Sequence, residues 1–153
     1  MFESHIHNEC IHSALANAEM ICRKKGLRLT QLRKRVLELV WENHGPVKAY
    51  DILDKLGDKN ASAKPPTVYR SLDFLTENGL VHKLNSLNAY VGCSHPSKKH
   101  ACYFLICKSC QEVKECCNQI LTRAINCTSA ENNFRVSSIT LEIEGLCEHC
   151  SDK

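Results

Sequence analysis

The 153-residue chain contains no apolar run approaching the roughly 18 residues that a membrane-spanning helix needs, which excludes an integral helical membrane protein. Residues 1–22 lack the apolar core of a signal peptide, so export is not expected and a cytoplasmic location is. Internal repeats and low-complexity segments are absent. So are the glycine-rich, serine-nucleophile and paired-carboxylate arrangements that hydrolysis or phosphoryl transfer requires, and no enzyme of those kinds is expected. Charge of one sign is also scarce. A net charge of +3 is too small to argue nucleic-acid binding by itself, but all of the excess lies in the first half. Residues 1–85 carry 13 Lys and Arg against 10 Asp and Glu, whereas residues 86–153 carry 7 against 7. The asymmetry points to two parts with different partners.

Apolar residues at 43%, charged residues at 24% and a mean hydropathy of −0.30 describe a soluble globular protein, one ordinary domain or two small ones. Cysteine is the abundant exception. There are 11, and only Cys10 and Cys22 precede residue 90. In a chain without an export signal, that density reads as metal or redox chemistry before disulfides.

The first half has helical periodicity. Ile11, Leu15, Ala18 and Cys22 share one face of a helix that Gly26 stops. Thr30 is placed to cap a second helix carrying Val36, Leu37 and Val40, and a third runs from about Lys48 to Leu56. A fourth starts near Pro66, because a proline in the first helical turn loses no hydrogen bond, and ends at Asn78–Gly79. Leu80–Leu84 and Ala89–Cys93 form a hairpin pattern. Three helices, a fourth with an exposed polar face and a hairpin are the order of a winged helix-turn-helix, an architecture that serves DNA reading or protein contacts. In the second half, Tyr103–Cys107 and Glu112–Glu115 read as strands, Cys116–Cys127 as a helix and Phe134–Ile143 as a long strand. The fold class is therefore α+β. An α+β module of about 60 residues is marginal alone and needs metal, a partner subunit or both.

Cys107-x-x-Cys110 and Cys147-x-x-Cys150 supply four thiolates in two tight turns, a set that suits a structural tetrahedral zinc. The alternative is a thiol oxidoreductase using Cys107 and Cys110.

The run from Ala63 through Lys64-Pro65-Pro66-Thr67-Val68-Tyr69-Arg70 to Leu75, followed by Gly79-Leu80-Val81-His82-Lys83, resembles the ferric uptake regulator (Fur) family. Arg28-Leu29-Thr30 with Arg33 fits the family's opening, and Ala49-Tyr50-Asp51 its third helix. Asn88-Ala89-Tyr90-Val91-Gly92-Cys93 and Gly145-Leu146-Cys147 resemble its zinc uptake regulator (Zur) branch. The resemblance runs from about Ala14 to Cys150. It implies a homodimeric repressor of palindromic operator DNA, controlling zinc uptake genes: a winged-helix domain over residues 1–92 and a small α/β dimerisation domain over 93–153, hinged near Cys93.

The resemblance also implies about two zinc ions per chain. One is structural, on Cys107, Cys110, Cys147 and Cys150. The other is regulatory, on His82, Cys93, His100 and Glu115, drawn from wing, hinge and dimerisation domain. Tyr50 and Arg70 are the expected base contacts, because an arginine pairs bidentately with guanine. Lys64, Thr67 and Tyr69 are expected to position the helix start, and Arg28, Thr30 and Arg33 to meet phosphates. An iron or manganese regulator of the same family is the alternative. The histidine-rich run that iron- and peroxide-sensing relatives carry before the first cysteine pair is mostly missing from His100 to Cys107, which favours zinc. Cys102, Cys116, Cys117 and Cys127 take no role in either site and read as small core or surface residues, with adventitious metal binding or oxidation sensitivity as the lesser reading; Cys10 and Cys22 are assigned no role.

Overall fold

The computed structural model describes residues 7–43, 45–57, 63–96 and 101–151. The chain divides into two compact units, Met1–Ser97 and Lys98–Lys153. Cys93 belongs to the first of them.

The first unit holds α1 (His7–Lys25), α2 (Gln31–Trp41), α3 (Ala49–Gly57), α4 (Pro65–Glu77), β1 (Val81–Leu84) and β2 (Ala89–Gly92). Thr30 stays extended and its hydroxyl accepts from the Arg33 amide, so α2 starts where an N-cap residue predicts. Prolines 65 and 66 occupy the first turn of α4, where no intrahelical N–H is needed. Val36, Leu37 and Val40 of α2 bury against Ile52 and Leu56 of α3 and against Val68, Leu72 and Leu75 of α4. The wing strands pair antiparallel, Val81 opposite Gly92 and Leu84 opposite Ala89. Val47, ahead of α3, exchanges two backbone hydrogen bonds with Tyr90 and so ties the wing to the helical core. Nothing in the sequence pattern marks that bridge.

The second unit contains β3 (Cys102–Cys107), β4 (Val113–Cys117), α5 (Gln119–Glu131), β5 (Leu141–Gly145) and α6 (Glu148–Ser151). Its sheet has the order β4-β3-β5, antiparallel between β3 and β4 and parallel between β3 and β5. Two expectations change here. The helix expected over Cys116–Cys127 begins at Gln119, because Asn118 is extended and its side chain caps the Ile120 amide; Cys116 and Cys117 complete β4 instead. The long strand expected over Phe134–Ile143 is instead the five-residue β5, which starts at Leu141 and runs past that range to Gly145. Only five residues of β3, Tyr103 to Cys107, offer a ladder on that side, and alternation alone holds no strand without a partner.

Gly92 is where the wing meets α2 most tightly. A Cβ built there would lie 2.2 Å from the Trp41 ring, well inside van der Waals contact. Gly92→Ala is therefore expected to destabilise the first unit by about 1–3 kcal/mol, the usual cost of overpacking. Urea denaturation followed by far-ultraviolet circular dichroism reads this out, and an unchanged midpoint contradicts the packing. Trp41→Leu in the same background should restore part of the loss.

Candidate metal centres and nucleic-acid interface

The two Cys-x-x-Cys turns meet at one end of the second unit. Cys107 closes β3, and a tight turn follows in which Gln111 takes a left-handed φ of 59° and its amide donates to the Cys107 carbonyl. The Cys107 amide donates in turn to the Glu112 carbonyl. On the other side of β3, parallel β5 ends at Gly145 and delivers Cys147 to the same place. Cys150 follows on the short α6, whose Cys150 and Ser151 amides both donate to the Cys147 carbonyl. The four sulfur atoms lie within 4.8 Å of one another, with Cys110 and Cys147 at 3.7 Å. A tetrahedron with metal–sulfur bonds of about 2.3 Å has sulfur–sulfur edges of about 3.8 Å, so this donor set fits zinc.

The electrostatics agree. Backbone hydrogen bonds from Cys110 and then Cys147 hold the Cys107 thiol down at about 6, whereas desolvation, followed by hydrogen bonding with Cys150 and Cys107, pushes Cys147 up to about 12. Four neighbouring sulfurs do not all ionise unaided. A dication offsets the desolvation and displaces the shared S–H hydrogen bonds that keep the last protons on.

The other expected metal residues are shared between the units. In the first, His82 lies on β1 opposite Val91, and Cys93 follows β2, 4% exposed, its amide donating to the Leu80 carbonyl. The two bring a ring nitrogen and a sulfur within 4.8 Å of each other. In the second, Glu115 lies on β4 opposite Phe104. His100 falls outside the described residues.

Glu115 has a neighbour that the sequence reading passed over. The Cys102 thiol donates to its carboxylate at 3.0 Å and touches the Cys117 sulfur at 3.3 Å. Burial, and then the bond to Glu115, pushes the Cys102 thiol far above its ordinary value. The signal that finds this group is register: a hairpin that opposes residues 107 and 112 also opposes 102 and 117.

Of the residues expected at DNA, Tyr50 on α3 is 70% exposed, and Lys64, Thr67, Tyr69 and Arg70 all face outward at the start of α4. The inward side of that helix is Val68, Ser71, Leu72 and Leu75. The positive end of the helix dipole thus coincides with two cationic side chains and two hydroxyl-bearing ones, an arrangement suited to a phosphate backbone. Arg28 is exposed ahead of α2. Thr30 and Arg33 are half-buried and engaged within the fold: Thr30 caps α2, while the Arg33 guanidinium stacks 3.6 Å over the Phe74 ring and donates to the Arg28 carbonyl. No helix among the described residues is long and apolar enough to cross a membrane.

Residues 24–144 match the model of the ferric uptake regulator family. The zinc uptake regulation protein of Escherichia coli strain K12 is 42% identical over 137 residues, 89% of this chain and 80% of that protein. Among solved structures, a zinc uptake regulator complexed with zinc and DNA shares 40% identity at a TM-score of 0.87, covering 93% of this chain and 95% of that one. The holo form of XcZur shares 41% identity at a TM-score of 0.84, covering 92% of this chain and 99% of that one. The match reaches through both units, and the chain belongs to the ferric uptake regulator family, whose members are transcription regulators and not enzymes.

Proposed function

We propose that the chain is a zinc-responsive transcriptional repressor that binds palindromic operator DNA as a homodimer in the cytoplasm and controls zinc uptake genes. The observation that carries the choice of metal is the sulfur of Cys93 beside the His82 ring nitrogen. A thiolate in the sensing set suits zinc, whereas iron(II) and manganese(II) regulators call for harder oxygen and nitrogen donors. The 42% identity to a zinc uptake regulation protein supports the same reading. A thiol oxidoreductase built on Cys107 and Cys110 has no such support, since those two sulfurs lie among two more cysteines.

In this reading residues 1–92 form the DNA-reading domain and residues 93–153 the dimerisation domain, hinged near Cys93. Two zinc ions bind per chain. The structural one takes Cys107, Cys110, Cys147 and Cys150; the regulatory one takes His82, Cys93, His100 and Glu115. Zinc supplies charge neutralisation at the four thiolates and favours the DNA-binding arrangement by binding it more tightly than the alternatives. Tyr50 and Arg70 contact bases, Lys64, Thr67 and Tyr69 fix the start of α4 on the backbone, and Arg28 serves a phosphate; Thr30 and Arg33, expected beside it, instead hold the start of α2, one as its cap and the other over the Phe74 ring. The outward face of α4, with its buried side fully committed to the core, supports that assignment.

Native mass spectrometry of the purified protein is expected to find about two zinc ions per chain, falling to about one after mild chelation. A closed all-thiolate site releases metal more slowly than a mixed one. Iron in place of the labile zinc transfers the function to the iron-sensing alternative. Cys93→Ser should abolish the zinc dependence of operator binding while the far-ultraviolet spectrum stays that of the parent, and an unchanged zinc response in a fluorescence-anisotropy titration removes Cys93 from the sensor. Arg70→Ala should weaken operator binding by about 1–3 kcal/mol and relax the preference at one base pair. A uniform loss across all operator variants would reassign Arg70 to the phosphates.

A further inference from the structure

Two cysteines outside both zinc sets meet across the sheet of the second unit. Cys102 opens β3 and Cys117 closes β4, and the antiparallel register sets them directly opposite one another. Their sulfurs are 3.3 Å apart. Directly opposed residues in an antiparallel ladder have Cα atoms about 4.5–5.5 Å apart, inside the roughly 4.4–6.8 Å range that disulfides span. A bond between them therefore asks for side-chain rotation and no backbone movement. The two thiols also differ in access. Cys117 is exposed, whereas Cys102 is 8% exposed and donates to Glu115. An accessible sulfur with a resolving thiol already in contact is the arrangement of a reversible redox pair. Cys116 is its internal control: it is the next residue along β4, points to the opposite face of the sheet, and lies opposite Tyr103.

We propose that Cys102 and Cys117 form a modification site, a dithiol that closes to a disulfide when the protein meets hydrogen peroxide. The Cys117 sulfur attacks one peroxide oxygen, the O–O bond breaks, and Cys117 becomes a sulfenic acid as water leaves. The Cys102 sulfur then attacks the Cys117 sulfur. The S–O bond breaks, and the departing hydroxide takes the Cys102 proton as a second water. Two thiols are oxidised by two electrons and one peroxide is reduced to two waters. A small dithiol reverses the bond by exchange. Closure removes the S–H that Cys102 donates to Glu115, so the carboxylate loses a hydrogen-bond partner each time the pair oxidises.

The test uses the full-length, zinc-loaded protein. It is exposed to a small molar excess of hydrogen peroxide, alkylated, digested with trypsin and mapped by mass spectrometry without reduction. The expected product joins peptides 100–108 and 115–123 with the loss of two hydrogens, fragment ions placing the bond at Cys102 and Cys117. It should persist in Cys116→Ser, be absent from Cys117→Ser and disappear with dithiothreitol, while a zinc-chromophore assay finds no released metal. Cys117 is exposed, so Cys117→Ser should keep the parent far-ultraviolet spectrum. Alkylation of both cysteines after peroxide, a Cys117 sulfinic acid with Cys102 alkylated, or crosslinks through Cys107 with zinc release would each overturn the proposal. The readout is a covalent bond, so its outcome is separate from that of the zinc-sensing reading.

Discussion

The second unit has too little apolar interior to hold itself together. Its buried hydrophobic residues, among those described, are Cys102, Phe104, Ile106 and Cys107, all on β3, and α5 buries none of its side chains. A module of this size cannot offset the conformational entropy of folding with one strand's worth of core. What gathers its two distant ends is the four-sulfur cluster, which joins the turn after β3 to the turn after β5. The parallel pairing of β3 with β5 lets both strands finish at the same edge, and the cysteines lie just past those ends. The same shortage of core fits a family that works as a dimer: Ile120 and Phe134 stay largely exposed among the described residues.

The first unit is organised the opposite way. Its interior is continuous from Ala18 on α1 to Tyr90 on β2. That completeness frees the outer face of α4. A helix anchored by Val68, Leu72 and Leu75 can present Thr67, Tyr69 and Arg70 without any of them being needed for stability. Arg33 shows the other use of a cation, spread over Phe74 where it ties the start of α2 to α4.

Much of this was legible in the residues themselves. The N-cap at Thr30, the prolines opening α4 and the alternation of the wing fixed those elements closely, because each is a local signal acting on its own neighbourhood. The cysteine spacing announced four ligands, although not that a parallel strand would bring them together. What escaped was non-local. The alternation in Phe134–Ile143 is real, but a strand exists only as long as its neighbour, and β3 has five residues to offer. The start of α5 is the local exception: Asn118 caps the Ile120 amide and leaves Cys116 and Cys117 to β4. The contact between Cys102 and Cys117 depends on register across a turn, and the close approach of Gly92 to Trp41 on the packing of β2 against α2; composition records neither.

The chain order of the four-cysteine cluster has a consequence during synthesis. Cys147 follows Cys107 by 40 residues. At a translation rate of about 5–20 residues per second, the first Cys-x-x-Cys turn leaves the ribosome roughly 2–8 s ahead of the second. Through that interval β3 can pair with β4, but its other edge is bare and two thiols stand at its end with half of a coordination shell. The nascent protein is then open to edge pairing with other chains. The unit closes only when β5 arrives, which makes completion of the fold and completion of the cluster a single late event.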